Sequence, residues 1–588
     1  MERRPVPCPL WPLVGLPILV SAWTRGLWAP DEPRYAEVAR EVFTEPGLLV
    51  MRLCGEVYPD KPPLLFWLAG LLGRVSDWSP AAMRLVSVAA TFGTALLVAR
   101  LARRWWGARE AAWAPALFLG TAMVAELGGR LQLDPLLTLL TTGALVLLEH
   151  PGPAGPIEPG GVDGSGRRRR RARLAGLLLG LGVLTKGPVA ILVPLMVLVA
   201  WRLVPGARGE ATSSRPRLDP LAVVLALLPA GLWVGAVIAT NPELADHLLF
   251  GQHVGRLTQG DSVIHAGPVY KPLLRLALLF LPWTLPLAAG LARGWSAARH
   301  GRDRGLARAF AWAAVLILFF TLIPPKRDLY LLPAYPALAL VTARWLTTHA
   351  SAARGCALLL GAGPALLLLV GVVLAVAGPL ASSIEAAREP LAELPGLAAS
   401  IAWRLPLGVL PLVVGATLAL VALGRRDHDR AAAATLAAFA GGAALSFALV
   451  FPHLDEVKSA RALGVRLGEL HAERAPEGRS AIPVLGLRPE GPRFYSRVPV
   501  LPARHPDFLD GQLVGSERAL VEGGDPALFE PAALLDAWQR AEDRALLAVV
   551  SGAVWESLGE ARRGGLDVLY EGRVGRHRAL IVGASGSR

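Results

Sequence analysis

Residues 31–45 read DEPRYAEVAREVFTE and directly follow a first apolar run over residues 9–27. The stretch carries too many charges to cross a bilayer. Its apolar side chains recur at helical spacing, as at Tyr35, Val38 and Val42, which predicts an amphipathic helix at the membrane surface. Charged side chains gathered at one face of an otherwise apolar protein indicate a functional site.

The composition places this charged helix in a membrane protein. The chain has 588 residues, of which 53% are apolar, and its mean hydropathy is positive. Apolar content this high over such a length predicts a polytopic membrane protein. The net charge is +14. The densest arginine run, Arg167 to Arg171 with Arg173, lies in a loop and indicates a cytoplasmic anchor rather than a nucleic-acid site. Cys8, Cys54 and Cys356 are far apart, so no disulfide framework is expected.

Apolar stretches recur over the first three-quarters of the chain and predict about thirteen transmembrane helices. They cover residues 9–27, 82–101, 111–127, 131–149, 174–187, 188–204, 219–239, 271–291, 307–323, 329–348, 355–378, 406–423 and 431–451. The division of 174–204 into two helices rests on Lys186-Gly187-Pro188, since a charge and a helix-breaking pair are better tolerated at an interface. A single long tilted helix is the alternative.

Charge then assigns the loops to two sides. The arginine-rich loops fall on one side, which the positive-inside rule places in the cytoplasm. They are 100–109, 167–173, 208–217, 293–304 and 425–430. The opposite side collects most of the other ionisable groups, namely Asp31, Glu32, Arg34, Asp60, Lys61, Arg130, Asp134, Lys186, His253, Arg256, His265, Lys326 and Arg327. An outward-facing catalytic cleft fits this distribution better than a transport pathway, whose ionisable residues usually lie near mid-bilayer.

The composition changes after residue 451 to mixed polar and apolar sequence. Short β-like runs, such as 482–485 and 548–550, alternate with helix-like segments at 456–474 and 532–543. This pattern predicts a small α/β domain over 452–588 on the outer side of the membrane, following a transmembrane catalytic domain over 1–451.

The acids that begin the charged helix have two readings. Asp31 and Glu32 could simply complement the helix dipole as residues of the first turn. The nearby cations Arg34 and Lys61 favour catalysis instead, because fixed cations beside a carboxylate suit transfer chemistry on a phosphorylated lipid.

Two motifs at this separation, DEPRYAE (31–37) and YPDKPPLLFW (58–67), closely resemble the polyprenyl-phosphate-dependent glycosyltransferases. This group includes the aminoarabinose transferase of lipid A and bacterial relatives of protein O-mannosyltransferases. Weaker matches follow in the same order. They are Arg130 to Asp134, LTKGP (184–188), HAGP (265–268) with Tyr270, and KRDLYLLPAYP (326–336). The resemblance covers residues 9–451 and implies a GT-C-type fold with interfacial helices in the first outer loop.

The resemblance also implies roles for individual residues. Asp31 resembles the catalytic or acceptor-orienting acid. The lipid-linked phosphate would be bound by Arg34, Lys61, Arg256, Lys326 and Tyr330, with Glu32, Asp134, Lys186 and His253 in support. Lys186 has an alternative role as an anchor that reaches the interface from a helix end.

A divalent metal, Zn²⁺, Mg²⁺ or Mn²⁺, is a further expectation. Asp60 stands where the aminoarabinose branch usually carries Glu at a position associated with a metal, and Asp is a competent oxygen ligand. His265, and with it His253, could complete the site, although each histidine could equally be an interfacial hydrogen-bonding residue.

The expected protein is therefore an inverting glycosyltransferase of the bacterial inner membrane with its site on the periplasmic side. It would move a sugar, 4-amino-4-deoxy-L-arabinose or a hexose, from a polyprenyl-phosphate donor to a lipid A, protein or glycan acceptor. A secondary transporter or lipid flippase, supported by the number of spans, is the alternative. A non-catalytic assembly protein is a third possibility, and nucleic acid is not an expected partner.

Overall fold

The computed structural model describes residues 10–44, 47–149, 164–208, 219–245, 267–323, 326–348, 354–380, 403–474, 482–503, 547–574 and 577–584. The chain divides into two compact units. The membrane unit comprises Met1–Trp23, Arg84–Ala239 and His265–Val450, and the α/β unit comprises Thr24–Met83, Thr240–Ile264 and Phe451–Arg588. Residues 24–83 thus group with the residues after 450, while the predicted domains 1–451 and 452–588 stay a prediction.

Helices dominate the described residues. In chain order they begin with α1 Trp11–Val14, α2 Leu16–Thr24, α3 Asp31–Thr44, α4 Leu64–Val75, α5 Pro80–Trp105, α6 Ala108–Leu119, α7 Ala122–Leu127, α8 Leu133–Leu148, α9 Gly164–Lys186, α10 Val189–Leu203, α11 Pro220–Thr240 and α12 Lys271–Leu279. They continue with α13 Thr284–His300, α14 Arg304–Leu322, α15 Tyr335–Thr348, α16 Arg354–Leu380, α17 Arg404–Gly424, α18 His428–Leu449, α19 Phe451–Lys458, α20 Arg461–Arg474, α21 Glu490–Ser496, α22 Gly552–Ser557 and α23 Glu560–Arg563.

Each of the predicted apolar spans coincides with a helix or with a pair of consecutive helices. By length and composition, 7 helices within the described ranges could each cross a membrane, and the pair α12–α13, bent by 117°, would make 8. The bend falls at Leu281-Pro282, where proline removes a backbone donor. The chain is thus a multi-pass membrane protein, and the count of thirteen spans stays a prediction.

The predicted break at Lys186-Gly187-Pro188 is present. Helix α9 ends at Lys186, Gly187 has a φ of +78°, and Pro188 is the N-cap of α10. A positive φ favours glycine because it carries no Cβ, and proline suits the start of the following helix. Residues 174–204 are therefore two helices rather than one long helix.

Burial differs sharply between the helices of the membrane unit. The apolar window of Asp328–Thr348, which contains α15, is 83% buried, whereas that of α11 is only 11% buried. Helix α15 therefore forms the centre of the unit. Trp113, Trp283, Trp312 and Trp345 are also fully buried in this unit. Helix α11 exposes most of its apolar surface, as expected for a helix that faces lipid.

Small residues hold α11 in place. A Cβ at Gly176 of α9 would lie 2.1 Å from the carbonyl oxygen of Ala222, and one at Gly180 would lie 2.4 Å from that of Leu225. This small-xxx-small spacing lets two helix backbones approach closely, which is how helices associate where lipid removes the usual hydrophobic driving force.

The α/β unit contains a hairpin and a five-stranded sheet. Its strands are β1 Arg52–Leu53, β2 Glu56–Val57, β3 Ile482–Leu485, β4 Val500–Ala503, β5 Leu547–Ser551, β6 Leu566–Val574 and β7 His577–Ala584. The sheet has the order β4-β3-β5-β7-β6, in which β4, β3 and β5 are parallel and β7 and β6 are antiparallel. The small C-terminal α/β fold is therefore confirmed, with the predicted runs 482–485 and 548–550 in β3 and β5.

Both faces of this sheet are covered. Val484 and Val549 belong to a core with Leu467 of α20, and Val550 belongs to a second core with Val554 of α22. The predicted helix over 456–474 is interrupted, since α19 ends at Lys458 and α20 begins at Arg461. The predicted helix at 532–543 lies outside the described residues.

We predict that Gly180→Leu lowers the thermal stability of the purified protein. The added side chain must push the α11 backbone away, and overpacking of this kind costs about 1–3 kcal/mol. Thermal unfolding in detergent measures the change. Gly231→Leu on α11 is the matched control, because a Cβ there meets nothing within 4 Å. Equal stability of the two variants would contradict the proposed packing role of Gly180.

Candidate functional site

The charged helix predicted at residues 31–45 is present as α3, and it is buried on all sides. Every residue from Glu32 to Val42 is buried, including the charged side chains of Glu37, Arg40 and Glu41. An ordinary amphipathic helix would turn its charged face to water. Here C-terminal residues of the same unit cover that face.

Ion pairs join α3 to α21. Arg493 contacts Glu37 through Nε at 2.8 Å and Glu41 through an Nη atom at 2.7 Å. Arg40 pairs with Glu37 at 2.7 Å, and the backbone amide of Gly55 donates to Glu41. Two arginines thus face two acidic side chains, and this pairing offsets the cost of burying the polar groups.

Cys54 lies buried beside this network. Burial raises the pKa of the Cys54 thiol well above its usual range, and the negative charges of Glu37, Glu490 and Glu41 raise it further. The thiol therefore stays protonated and belongs to the packed interior of the α/β unit.

The segment that leads into α3 is fixed by a second set of contacts. Glu32 accepts hydrogen bonds from Arg25 and from the backbone amide of Trp28. Asp455 of α19 accepts from the Trp28 indole at 2.6 Å and from the backbone amide of Gly26. Glu32, predicted as a supporting residue, therefore shapes the entry to the helix.

The other predicted residues of the first loop gather around Tyr58. Arg34 forms a hydrogen bond with the Tyr58 hydroxyl, and the charges of Asp31 and Asp60 also act on this hydroxyl. Lys61 donates to the backbone carbonyl of Asp60 at 3.0 Å. We call these five residues the Tyr58 cluster. The two sequence motifs, which are separated by the rest of α3 and by the β1–β2 hairpin, thus meet in one place.

The Tyr58 cluster combines buried and accessible groups. Asp60, Arg34 and Tyr58 are buried, whereas Asp31 and Lys61 are half-buried. Burial raises the pKa of Tyr58, against the opposing effect of Arg34, so its hydroxyl remains protonated and can hold the guanidinium. The accessible carboxylate and ammonium are the groups that can reach a ligand.

A separate set of predicted residues lies in the membrane unit. Lys186, at the end of α9, pairs with Asp134 of α8 at 2.5 Å, and its ammonium lies 4.6 Å from the ring centroid of Tyr330. Asp134 is buried, and the Lys186 side chain is 16% exposed. The structure therefore brings these three residues together, and Lys186 is more than an anchor at the interface.

The remaining predicted residues have other positions. The Lys326 ammonium donates to the carbonyl oxygens of Thr321 and Ile323, so it caps the end of α14. Arg256, His253 and His265 lie outside the described residues.

The described residues do not by themselves form a metal site. No group of three or more His, Cys, Asp or Glu side chains arranged to hold a metal ion is found among them. Asp60 is buried, at 4% exposure, and is the predicted metal ligand that the structure describes. Its carboxylate is an oxygen donor suited to a divalent ion, but the described residues do not include a complete set of ligands.

Comparison with known proteins identifies similar sequences. The family model described as Dolichyl-phosphate-mannose-protein mannosyltransferase matches residues 19–232. A protein of Pectobacterium carotovorum named undecaprenyl phosphate-alpha-4-amino-4-deoxy-L-arabinose arabinosyl transferase is 30% identical over 351 residues, 58% of this chain and 59% of the relative. Its namesake in Erwinia tasmaniensis is 29% identical over 406 residues, 68% of this chain and 70% of the relative.

A solved structure covers nearly the whole chain. The crystal structure of ArnT from Cupriavidus metallidurans bound to undecaprenyl phosphate superposes with a TM-score of 0.75 and 23% identity over 97% of both chains. The sequence matches are shorter. They span 59% of the length of the Pectobacterium relative and 56% of that of a relative from Aeromonas salmonicida.

The chain is therefore a multi-pass membrane protein with a GT-C-type fold and a small C-terminal α/β region. Its predicted resemblance to the polyprenyl-phosphate-dependent glycosyltransferases is confirmed.

Sequence reasoning missed several residues of the site. Tyr58 begins the motif YPDKPPLLFW (58–67), and its position three residues before Lys61 could have identified it as a site residue. Glu490, whose carboxylate lies 3.9 Å from the Arg34 guanidinium, and Arg493 had no such signal. They contact α3 from more than 400 residues away along the chain.

We predict that Arg493→Gln destabilises the protein strongly. The substitution takes the shared cationic partner from Glu37 and Glu41, and removing one partner of a buried ion pair costs about 3–5 kcal/mol. Thermal unfolding and limited proteolysis would record the loss. Arg497→Gln is the control, since Arg497 pairs at the surface with the exposed Asp77. A stable Arg493→Gln protein would contradict the role of the buried network.

We predict that part of the stability is lost as the pH rises. Burial and the neighbouring charge of Glu37 raise the pKa of Glu41 from its ordinary 4.5 to about 8, despite Arg493. A raised pKa means that the folded state binds the proton more tightly, so this contribution is present below pH 4.5 and is lost as the pH passes through about 8. The unfolding temperature should fall over this window, and Glu41→Gln should flatten the profile. An unchanged profile in Glu41→Gln would assign the pH dependence to other groups.

Proposed function

We propose that this protein is an inverting membrane glycosyltransferase that uses a polyprenyl-phosphate sugar. The observation that carries the proposal is the Tyr58 cluster, which brings the accessible carboxylate of Asp31 and the cations Arg34 and Lys61 into one region of the α/β unit. The sequence relatives and the fold of the chain support the same reading.

The rigidity of the Tyr58 cluster suits catalysis. Arg34 is held between the Tyr58 hydroxyl and the Glu490 carboxylate, and α3 is fixed by Arg493. Cations that are already in place stabilise charge that develops on a leaving group without reorganisation during the reaction. A flexible surface lysine or arginine would lose much of this advantage.

The reaction exchanges one bond at the anomeric carbon. An acceptor oxygen attacks C1 of the sugar from the face opposite the phosphate, and the bond between C1 and the phosphate oxygen breaks with inversion. The electron pair stays with the departing polyprenyl phosphate, whose charge Arg34 and Lys61 stabilise. Asp31 takes the proton of a hydroxyl acceptor, or positions an acceptor phosphate that is already ionised.

The resemblance proposes further ligands of the donor phosphate. Lys186 and Tyr330 form a charged and aromatic pair beside Asp134 that could engage a phosphate or a sugar hydroxyl. Lys326 and Arg256 complete the proposed set of phosphate ligands. To bind the phosphate, the Lys326 ammonium would have to give up its hydrogen bond to the carbonyl oxygen of Thr321 in α14.

The sugar that we propose is 4-amino-4-deoxy-L-arabinose carried on undecaprenyl phosphate, because the curated relatives are named for it. Lipid A is the proposed acceptor. The family model named for mannosyltransferases favours a hexose and a protein acceptor as the second candidate. The proposed place is the bacterial inner membrane, with the Tyr58 cluster and the C-terminal α/β region on the periplasmic side, in accord with the arginine-rich loops.

We expect purified protein to transfer the sugar from undecaprenyl-phosphate aminoarabinose to lipid A in a single-turnover assay. Asp31→Asn should reduce the rate about 10²–10⁴-fold with a hydroxyl acceptor, since a general base contributes that much. Lys61→Ala should reduce it about 10²–10³-fold, as loss of one charge-stabilising donor does. Asp77→Asn and Lys458→Ala, at exposed positions, are the matched controls.

The products of this assay separate the alternatives. Transfer from a mannosyl donor to protein would select the hexose reading. Donor movement across liposomes without any glycosidic product would support a flippase and would overturn the proposal. Full activity of Asp31→Asn and Lys61→Ala with every donor would remove the Tyr58 cluster from the site.

We propose that a divalent metal binds at Asp60, where it would help to neutralise the phosphate of the donor. The buried oxygen donor of Asp60 supports this proposal, and His265 is the second proposed ligand. Elemental analysis of the purified protein should find about one equivalent of Zn²⁺, Mg²⁺ or Mn²⁺, reduced in Asp60→Asn. Full transfer after exhaustive chelation, with no metal detected, would contradict it.

A further inference from the structure

A large groove lies in the membrane unit among α5, α6, α8 and α9. Its volume is about 1500 Å³, above the roughly 300–1,000 Å³ of ordinary small-molecule sites. Its walls are mainly apolar and include Leu96, Leu139 and Leu178. The function proposed above makes no use of this groove.

One end of the groove is strongly basic. Arg100, Arg103 and Arg104 of α5 line it together with Arg171 of α9, and no acidic side chain occurs among the described residues that line it. Arg100 and Arg103 are exposed. Arg104 pairs with Glu149 at 3.2 Å, a carboxylate that Arg308 also contacts. The positive charge at this end therefore greatly exceeds the negative charge nearby.

The apolar wall of the groove covers the part of one leaflet nearest the headgroups. Along α5 this wall extends from Gly93 to Ala99, ahead of Arg100, which at 1.5 Å per residue is roughly 9 Å. Half of a hydrocarbon core of about 30 Å is about 15 Å. The upper segments of acyl chains could therefore lie along the apolar wall while a headgroup meets the arginines.

The basic end lies far from Asp134 and Lys186. On α8, Asp134 is in the first turn, whereas Val146 and Leu147 line the groove at the other end of the helix. On α9, Arg171 lies near the start and Lys186 is the last residue. The basic end is therefore formed by the predicted cytoplasmic segments 100–109 and 167–173, whose groove-lining arginines here lie in helices α5 and α9 rather than in loops.

We infer that this groove binds an anionic glycerophospholipid of the leaflet that faces the arginine-rich loops. Guanidinium groups match phosphate oxygens with paired N–H donors, and basic pockets between transmembrane helices on the cytoplasmic side are a known mode of anionic-lipid recognition. Arginines that only fixed the topology would not need an apolar groove that continues directly from them along α5 and α8.

Lipid titration of the delipidated full-length protein tests this inference by native mass spectrometry. Phosphatidylglycerol should bind with at least tenfold higher affinity than phosphatidylcholine of the same acyl chains. The double variant Arg100→Gln/Arg103→Gln should bind phosphatidylglycerol about 25-fold more weakly, since each basic side chain near an anionic lipid contributes about a fivefold factor. Arg299→Gln/Arg302→Gln, in another arginine-rich loop, should leave the affinity unchanged.

A second pair of variants tests the apolar wall. Leu96→Trp should fill the groove and weaken binding at least fivefold. Leu227→Trp on α11 is the matched control, because Leu96 and Leu227 are 55% and 56% exposed. Equal binding of both lipids, or phosphatidylglycerol affinity within twofold of the parent in Arg100→Gln/Arg103→Gln, would overturn the inference. Displacement of phosphatidylglycerol by an equimolar polyprenyl phosphate would overturn it too, by assigning the groove to a substrate lipid.

Discussion

The contact of Arg493 with Glu37 and Glu41 is the interaction on which the α/β unit depends. It places a charged helix in an environment from which water is excluded, and this is tolerable only because the charges are matched. The same helix carries Asp31 and Arg34 at its first turns. The buried ion pairs therefore also position these two candidate residues, because the helix cannot rotate without separating buried charges.

Different interactions hold the two sets of candidate residues in position. The Tyr58 cluster is held by a buried polar network, whose hydrogen bonds and ion pairs fix both the distances and the orientations of the side chains. The second set consists of Asp134, Lys186 and Tyr330 and belongs to the membrane unit. Lys186 is the last residue of α9, which ends at the Gly187-Pro188 break. In both cases a polar group is held where an apolar surrounding would otherwise exclude it, which is typical of functional residues in membrane proteins.

Much of the membrane unit could be predicted from the sequence because apolar length is a local property. The break after Lys186 was predictable for the same reason, since Gly187 and Pro188 act on their own backbone. The partners of α3 could not be predicted. In the sequence, Glu37 and Glu41 resemble the solvent-exposed face of an amphipathic helix. The structure shows instead that both contact Arg493. Only the folded chain supplies that pairing, because Arg493 lies more than 400 residues away along the sequence.

The position of Cys54 gives the α/β unit a chemical property of its own. A thiol reacts with alkylating reagents as the thiolate, and this thiol is both covered and kept protonated by its carboxylate neighbours. It can react only in molecules whose α3 region has opened. The rate of maleimide labelling at Cys54 therefore reports the free energy of local opening in an intact lipid bilayer, where denaturant titrations are difficult to interpret.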